Sequence, residues 1–286
     1  MDLVDENTIT DIAMRRWSSA KNPRLAKIMP ALIKHLHAFA REVELTPEEW
    51  MAGIQWVTAM GQISDDKRME GILASDVFGL SMLVVMMNAR TPTGATPNTV
   101  LGPFHIDGSP EMARDADMSE GVEGEKLYVS GVVRGLDGKP IPGAVLDVWQ
   151  ADQDGSYEAQ IPGASERLRA IFRTDQEGRY GLWTIAPKGY AIPMDGPVGQ
   201  LIGQTDISYY RPSHFHAMVL APGYQPLVTH LFREGAPYLE NDVVFGVRQP
   251  LITAFKKQEA GAGPGGHTLA EPWYKAEYDF VLAPAA

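Results

Sequence analysis

The chain of 286 residues is 44% hydrophobic, enough to bury a sizeable core in one large domain or two ordinary ones. Its formal net charge of -11 argues against nucleic acid or an anionic membrane surface as the main partner, because both need a basic footprint. It contains no cysteine, which excludes disulfides, zinc-thiolate sites, iron-sulfur clusters and thiol nucleophiles, and leaves His, Tyr, Asp and Glu to hold any transition metal.

The opening "MDLVDENTITDIAMRRW" is acidic and lacks the basic start and apolar stretch of a signal peptide. No apolar run of about 18 residues follows, so a cytoplasmic protein that does not enter the membrane is expected. Residues 1 to about 90 read as helices. "NPRLAKIMPALIKHLHAFAREVEL" predicts one, bent or interrupted at Pro30. "TPEEWMAGIQWVTAM" predicts a second, with Thr46 and Glu49 as a capping box, Pro47 at the first helical position, and Trp50, Ile54 and Val57 on one face. "DDKRMEGILASDVFGLSMLVVMMNA" predicts a third whose last part is apolar all round, so it needs cover from other helices, a partner chain or a lipid. "TPTGATPNT", residues 91–99, reads as a linker.

Beyond the linker the texture changes to short β-branched runs between turn signals. "LYVSGVVRG" meets "LDGKPIPG", "AVLDVWQA" meets "DQDGS", and "RAIFRT" meets "DQEG" before "RYGLWTI". This spacing predicts a β-sandwich or barrel, with no helical period of any length between residues 125 and 235. "EAGAGPGG", near residue 260, reads as a flexible surface loop.

Two H-x-H pairs occur, and geometry separates them. His35 and His37, in "IKHLHAF", lie on a helix, where neighbours two apart point to nearly opposite sides and cannot share an ion. His214 and His216, in "RPSHFHAMVLA", lie on a predicted strand and emerge from one face, with Phe215, Ala217 and Val219 on the other. The second pair can chelate, but an isolated H-x-H on a strand is more often ordinary packing or a hydrogen-bonded pair than a metal site. Tyr157 in "DQDGSYEAQ" and Tyr190 in "APKGYAIPMDGP" sit in turn-rich segments, as surface tyrosines do and as metal ligands also do.

Taken together, "DVWQADQDGSY", "PKGYAIP" and "RPSHFH" resemble the intradiol ring-cleaving dioxygenases, which use non-haem iron(III) to open catechols, chlorocatechols and hydroxyquinol. The likeness extends over most of the chain, through "LGPFHIDGSP", "GKPIPGAVLDVWQ" and "PYLENDVVFGV" to the closing "YDFVLA". "GPVGQL" and "FREGAPYLENDVVFGV" make the hydroxyquinol branch the best match, with the chlorocatechol branch next.

The resemblance implies an α+β protein: a helical dimerisation and linker region over residues 1–99, then a mainly antiparallel β-sandwich catalytic domain over residues 100–286. It implies one iron(III) per subunit, held by Tyr157, Tyr190, His214 and His216. Tyr190 would be the ligand that the incoming diol displaces and that accepts one of its protons. Arg211 would stabilise negative charge developing on the ring. The substrate cavity would be lined by Leu73, Asp76, Val100, Gly102, Pro103, Phe104, Ile192, Pro193, Arg211 and Val244. Asp76 would face the third hydroxyl of hydroxyquinol; read from the residues alone, it is equally a polar break in an apolar helix. The implied reaction opens hydroxyquinol (benzene-1,2,4-triol) with O2 to 3-hydroxy-cis,cis-muconate or maleylacetate. The implied assembly is a homodimer through the N-terminal helices, able to hold phospholipid between subunits.

Two positions depart from the family pattern. His230 stands where many relatives have glutamine, and His105 follows "LGPF" where an apolar residue is common. Two tyrosinates and two neutral imidazoles suit a ferric ion on chemical grounds, whereas a 2-His-1-carboxylate set would favour iron(II). The alternatives are a catechol or chlorocatechol 1,2-dioxygenase, which shares ligands and mechanism, and a metal-free β-sandwich binding module, which would lack one or more ligands.

Overall fold

A computed structural model describes residues 4–65, 68–90, 92–161 and 167–285. Residues 1–3, 66, 67 and 91, which belong to the acidic opening, the expected third helix and the expected linker, lie outside the described residues. The chain divides into two compact units, Met1–Ala59 and Met60–Ala286.

The first unit holds α1 (Ile9–Ser18), α2 (Pro23–Glu42) and most of α3 (Pro47–Ile63), which runs across the boundary. Asn22 caps α2 by accepting the N–H groups of Arg24 and Leu25, and Pro23 supplies a fixed φ where no donor is needed. The helix continues through Pro30 and is not interrupted there. The predicted capping box of α3 forms as a reciprocal pair: Thr46 N–H donates to Glu49 at 2.9 Å, and Glu49 N–H donates to Thr46 Oγ1 at 3.3 Å. Leu25, Ile28, Leu32, Leu36 and Phe39 on α2, with Val43 at its C-cap, form one continuous exposed stripe at helical spacing.

The second unit begins with α4 (Glu70–Val77) and α5 (Leu80–Ala89). These two replace the single third helix expected from the sequence. Gly79 has φ +72°, a left-handed conformation that glycine adopts without strain, and the axis bends by 77° at this point. No single helix among the described residues is long and apolar enough to cross a membrane.

Two sheets then pack face to face. The first has the order β3 (Arg169–Arg173), β2 (Val145–Trp149), β7 (His214–Leu220), β8 (Leu227–Arg233), β9 (Ile252–Thr253). In the second, β1 (Lys126–Gly135) takes β4 (Arg179–Ile185) antiparallel on one edge. On its other edge β1 takes β13 (Trp273–Glu277) and then β14 (Phe280–Leu282), both parallel, and β10 (Lys256–Gln258) flanks β13. The sheets are therefore mixed, since β8 and β9 also run parallel, although the remaining ladders are antiparallel. Alternate residues of both sheets interleave in one core, including Leu127, Val129, Leu146, Val148, Phe172, Leu182, Phe215 and Phe280.

Two smaller ladders complete the unit. β5 (Tyr190–Ala191) pairs with β6 (Tyr210–Arg211), and β11 (Gly261–Ala262) pairs with β12 (Thr268–Leu269). The glycine-rich segment near residue 260 is thus structured: the Trp183 indole donates to the Pro264 carbonyl at 3.1 Å. One short helix, α6 (Pro197–Ile202), interrupts the expected run of strands. At six residues it is too short to leave a helical period in the sequence.

Candidate active site

Three neighbouring strands lay out the floor of the site. On β7 the period of two sends Phe215, Ala217 and Val219 into the core and turns His214 and His216 to the opposite face. Register then sets their neighbours, because His216 lies opposite Trp149 on β2 and opposite His230 on β8. The His216 ring stacks on Trp149 with centroids 4.7 Å apart and an interplanar angle of 18°. Trp149 meets the edge of His105, whose Nε2–H donates to Asp147 at 3.0 Å.

The tyrosines arrive from loops that the strands hold in place. In the turn "DQDGS", Asp152 Oδ1 accepts the N–H groups of Asp154 and Ser156, each at 3.0 Å, and this turn presents Tyr157. Gly155 has φ +81°, and a β-carbon there would fall 2.3 Å from that of Tyr190, so only glycine lets the two loops approach. Tyr190 is paired with Arg211 across the β5–β6 ladder. Phe104 stacks on Tyr157 with centroids 4.5 Å apart.

Four side chains converge on one point. Tyr157 Oη lies 2.8 Å from His216 Nε2, 3.2 Å from Tyr190 Oη and 3.4 Å from His214 Nε2, and the two Nε2 atoms are 3.2 Å apart. His214 Nδ1–H donates to the Pro212 carbonyl at 2.7 Å, which leaves Nε2 as the acceptor that faces the cluster. His35 and His37 remain apart on α2, where His37 bonds Thr10 at 3.0 Å.

Arg211 is buried beside this cluster. Its guanidinium donates Nε–H and Nη2–H to the two Asp242 oxygens at 3.1 and 3.3 Å, and Nη1–H to His214 Nε2 at 3.1 Å. Asp242 also accepts the Gly246 N–H at 3.0 Å. Burial works against the charge on Arg211, but Asp242 and the phenols of Tyr190 and Tyr157 outweigh it and hold its pKa above the ordinary arginine value. Burial likewise pushes the Tyr157 phenol well above its usual pKa of 10.0, with Tyr190 adding to the effect and Arg211 opposing it.

Above the cluster lies a cavity of about 400 Å³, within the range of small-molecule sites. The structure brings Leu73, Asp76, Val100, Gly102, Pro103, Phe104, Ile192, Pro193, Arg211 and Val244 together on its wall, with Tyr190. Arg68, Met69, Glu70, Gln160 and Asp195 also line it, and no local motif marks them. Arg68 bridges buried Glu70 at 3.0 Å and Asp195 at 2.7 Å, and Glu70 accepts the Val198 N–H at 3.1 Å, which ties α4 to the start of α6. Asp76 is only 4% exposed. Burial raises its pKa, an effect that a hydrogen bond from Ser81 and the charge of Arg211 only partly oppose.

Comparison with known proteins gives this geometry its family. A profile described as "Dioxygenase" matches residues 100–284, and one described as "Catechol dioxygenase N terminus" matches residues 22–96. The chain belongs to the intradiol ring-cleavage dioxygenases. It is 46% identical to the 6-chlorohydroxyquinol 1,2-dioxygenase of Cupriavidus pinatubonensis over 285 residues, covering 99% of each chain. It is 43% identical to the hydroxyquinol 1,2-dioxygenase of Nocardioides simplex, covering 98% of this chain and 96% of that one. Among solved structures, the hydroxyquinol 1,2-dioxygenase of Pseudomonas putida aligns with a TM-score of 0.91 at 42% identity, covering 98% of this chain and 99% of that one.

Intradiol dioxygenases use iron, and the residues present fit such an ion. Donors about 2 Å from one ion at tetrahedral angles lie about 3.3 Å from each other, close to the separations among the four converging atoms. Two phenol oxygens and two imidazoles, with no carboxylate among the four, form a set that stabilises the ferric over the ferrous state.

The histidines also make the metal-free dioxygenase sensitive to acid. Burial first, then neighbouring positive charge, holds the pKa values of His214, His216 and His230 well below 6.5. As pH falls through about 6.5 the unfolded chain takes up protons that the folded one refuses. Stability present above that pH is therefore lost progressively below it, by up to about 1.4 kcal/mol per histidine per pH unit. Urea midpoints of the metal-free protein should fall between pH 7.5 and 5.5; an unchanged midpoint contradicts this account.

Proposed function

We propose that the protein cleaves hydroxyquinol between its adjacent hydroxyl-bearing carbons with O2, giving 3-hydroxy-cis,cis-muconate or its tautomer maleylacetate. Iron(III), one per subunit, is held in this reading by Tyr157, Tyr190, His214 and His216. When bound, the ferric ion supplies a Lewis acid that draws the substrate in as a dianion and activates its ring toward oxygen. The protein's own groups do the rest. Tyr190, the one candidate ligand on the cavity wall, takes up a substrate proton. Arg211 sets a fixed positive charge against the negative charge that builds on the ring, in a pocket too dry to screen it. Leu73, Ile192, Pro193 and Val244 exclude water and hold the ring flat against the cluster.

The observation that carries the choice of substrate is Asp76, a carboxylate 4% exposed that shares the cavity wall with Leu73, Val100, Ile192 and Val244. A third ring hydroxyl gives it the partner that catechol cannot. A hydrogen bond to a charged group is worth about 1.5–3 kcal/mol, so Asp76→Ala is expected to lower kcat/KM for hydroxyquinol by about 10- to 100-fold and to alter catechol turnover much less. Oxygen uptake by the iron-loaded protein with hydroxyquinol, catechol and a chlorocatechol in parallel tests both points. Preference for catechol or a chlorocatechol sinks the substrate assignment, and an unchanged preference in Asp76→Ala sinks the role of Asp76.

We propose further that residues 1–99 serve dimerisation, with residues 100–286 as the catalytic part. The support is the exposed apolar stripe from Leu25 to Val43, which a second copy, or a phospholipid chain held between two copies, would bury. Leu36→Glu should convert a dimer to a monomer in light scattering after size exclusion; a parent protein already monomeric refutes the proposal.

A further inference from the structure

The β7–β8 ladder sets a third histidine beside the two already discussed. His230 lies directly opposite His216, with ring centroids 4.2 Å apart, and its ring is 5.0 Å from that of His214. It is fully buried. Its Nδ1 is hydrogen-bonded to Thr99, while its Nε2 has no partner at all. An unpaired ring nitrogen at such depth is costly, so it calls for a ligand. His214, His216 and His230 each offer a ligand atom, and these atoms lie within 4.8 Å of one another.

The tautomers favour such a ligand. The Thr99 hydroxyl can accept Nδ1–H of His230, which frees the Nε2 lone pair, and the Pro212 carbonyl fixes the same tautomer in His214. We propose that His214, His216 and His230 form a second metal-binding face that takes a divalent ion of borderline softness, such as Zn(II) or Co(II), with one position left open. Three neutral imidazoles suit that class of ion. A ferric ion draws instead on the hard oxygens of Tyr157 and Tyr190. The two donor sets share His214 and His216, so one ion excludes the other. Either ion must also displace Arg211 Nη1 from His214, and Asp242 keeps the guanidinium paired when it moves. The consequence is inhibition by competition: a divalent ion occupies the two imidazoles that iron needs.

Only this competition rests on the ferric reading; divalent binding stands by itself. The experiment titrates metal-free protein with Co(II), read by its visible d–d absorption, in the parent, His230→Gln and Tyr190→Phe. The expected result is at least a ~10-fold weaker Co(II) affinity in His230→Gln and little change in Tyr190→Phe. Equal affinity in His230→Gln and parent overturns the proposal, as does loss of Co(II) binding in Tyr190→Phe. Should His230→Gln fail to fold, X-ray absorption on the Zn(II)-loaded parent decides, with three imidazoles supporting the face and two refuting it. A parent that binds Co(II) but shows no charge-transfer band with iron would refute the ferric reading alone.

Discussion

Arg211→Leu is expected to lower kcat by about 10²- to 10³-fold and, as a separate effect, to destabilise the fold by about 3–5 kcal/mol. The two losses have different causes. Activity falls because the guanidinium is the buried cation beside the cluster, and a preorganised charge shielded from water acts on the transition state more than on the bound substrate. Stability falls because Asp242, whose side chain is 2% exposed, loses its partner and is left as an unpaired buried charge. Adding Asp242→Asn should recover most of the stability and none of the activity. Urea denaturation and steady-state kinetics on the single and double variants separate the effects. Joint recovery of both in the double variant would mean that Arg211 acts only as a structural counter-ion.

That pairing also marks the limit of what local sequence encodes. The geometry of His214 and His216 was legible because the period of a strand is local, and it excluded His35 and His37 for the same reason. Arg211 was legible through the motif around it. Asp242 stands 31 residues further on, and a buried cation announces that some carboxylate must be near without saying which. The row Trp149–His216–His230 depends on which strands pair and in what register, which no single segment encodes. Parallel pairing of β13 and β14 with β1 is non-local in the same way, since it joins the end of the chain to its middle.

In the helical half only the third expected helix differs, and for another reason. A segment apolar nearly all round carries no contrast between faces, so the break at Gly79 left no mark in the periodicity that predicted one continuous helix. The cavity wall is likewise built from α4, the segment around residues 100–104, β5, β6 and the loop that carries Val244. Only the family resemblance could join those segments in advance. It did not point to Arg68, Glu70 and Asp195, whose mutual ion pairs draw α4 toward α6 at the cavity.

Tyr157→Phe should weaken and shift the visible charge-transfer band of the iron-loaded protein, leaving only the contribution of Tyr190, and weaken iron binding by more than about 100-fold, the loss of a direct ligand exceeding that of an outer-shell partner. It should do so without unfolding the protein. Phenylalanine fills the same volume, keeps the stacking of Phe104 at 4.5 Å and removes only a hydroxyl whose bonds run to Tyr190, His214 and His216. Burial holds the Tyr157 phenol well above its ordinary pKa, so the phenolate forms only where a highly charged cation repays its cost, and colour reports that event directly. Tyr190→Phe, on the cavity wall, leaves one buried phenolate and should keep a weaker band. A Tyr157→Phe protein as coloured and as active as its parent would move the metal away from this cluster, and the roles of His214, His216 and Arg211 would go with it.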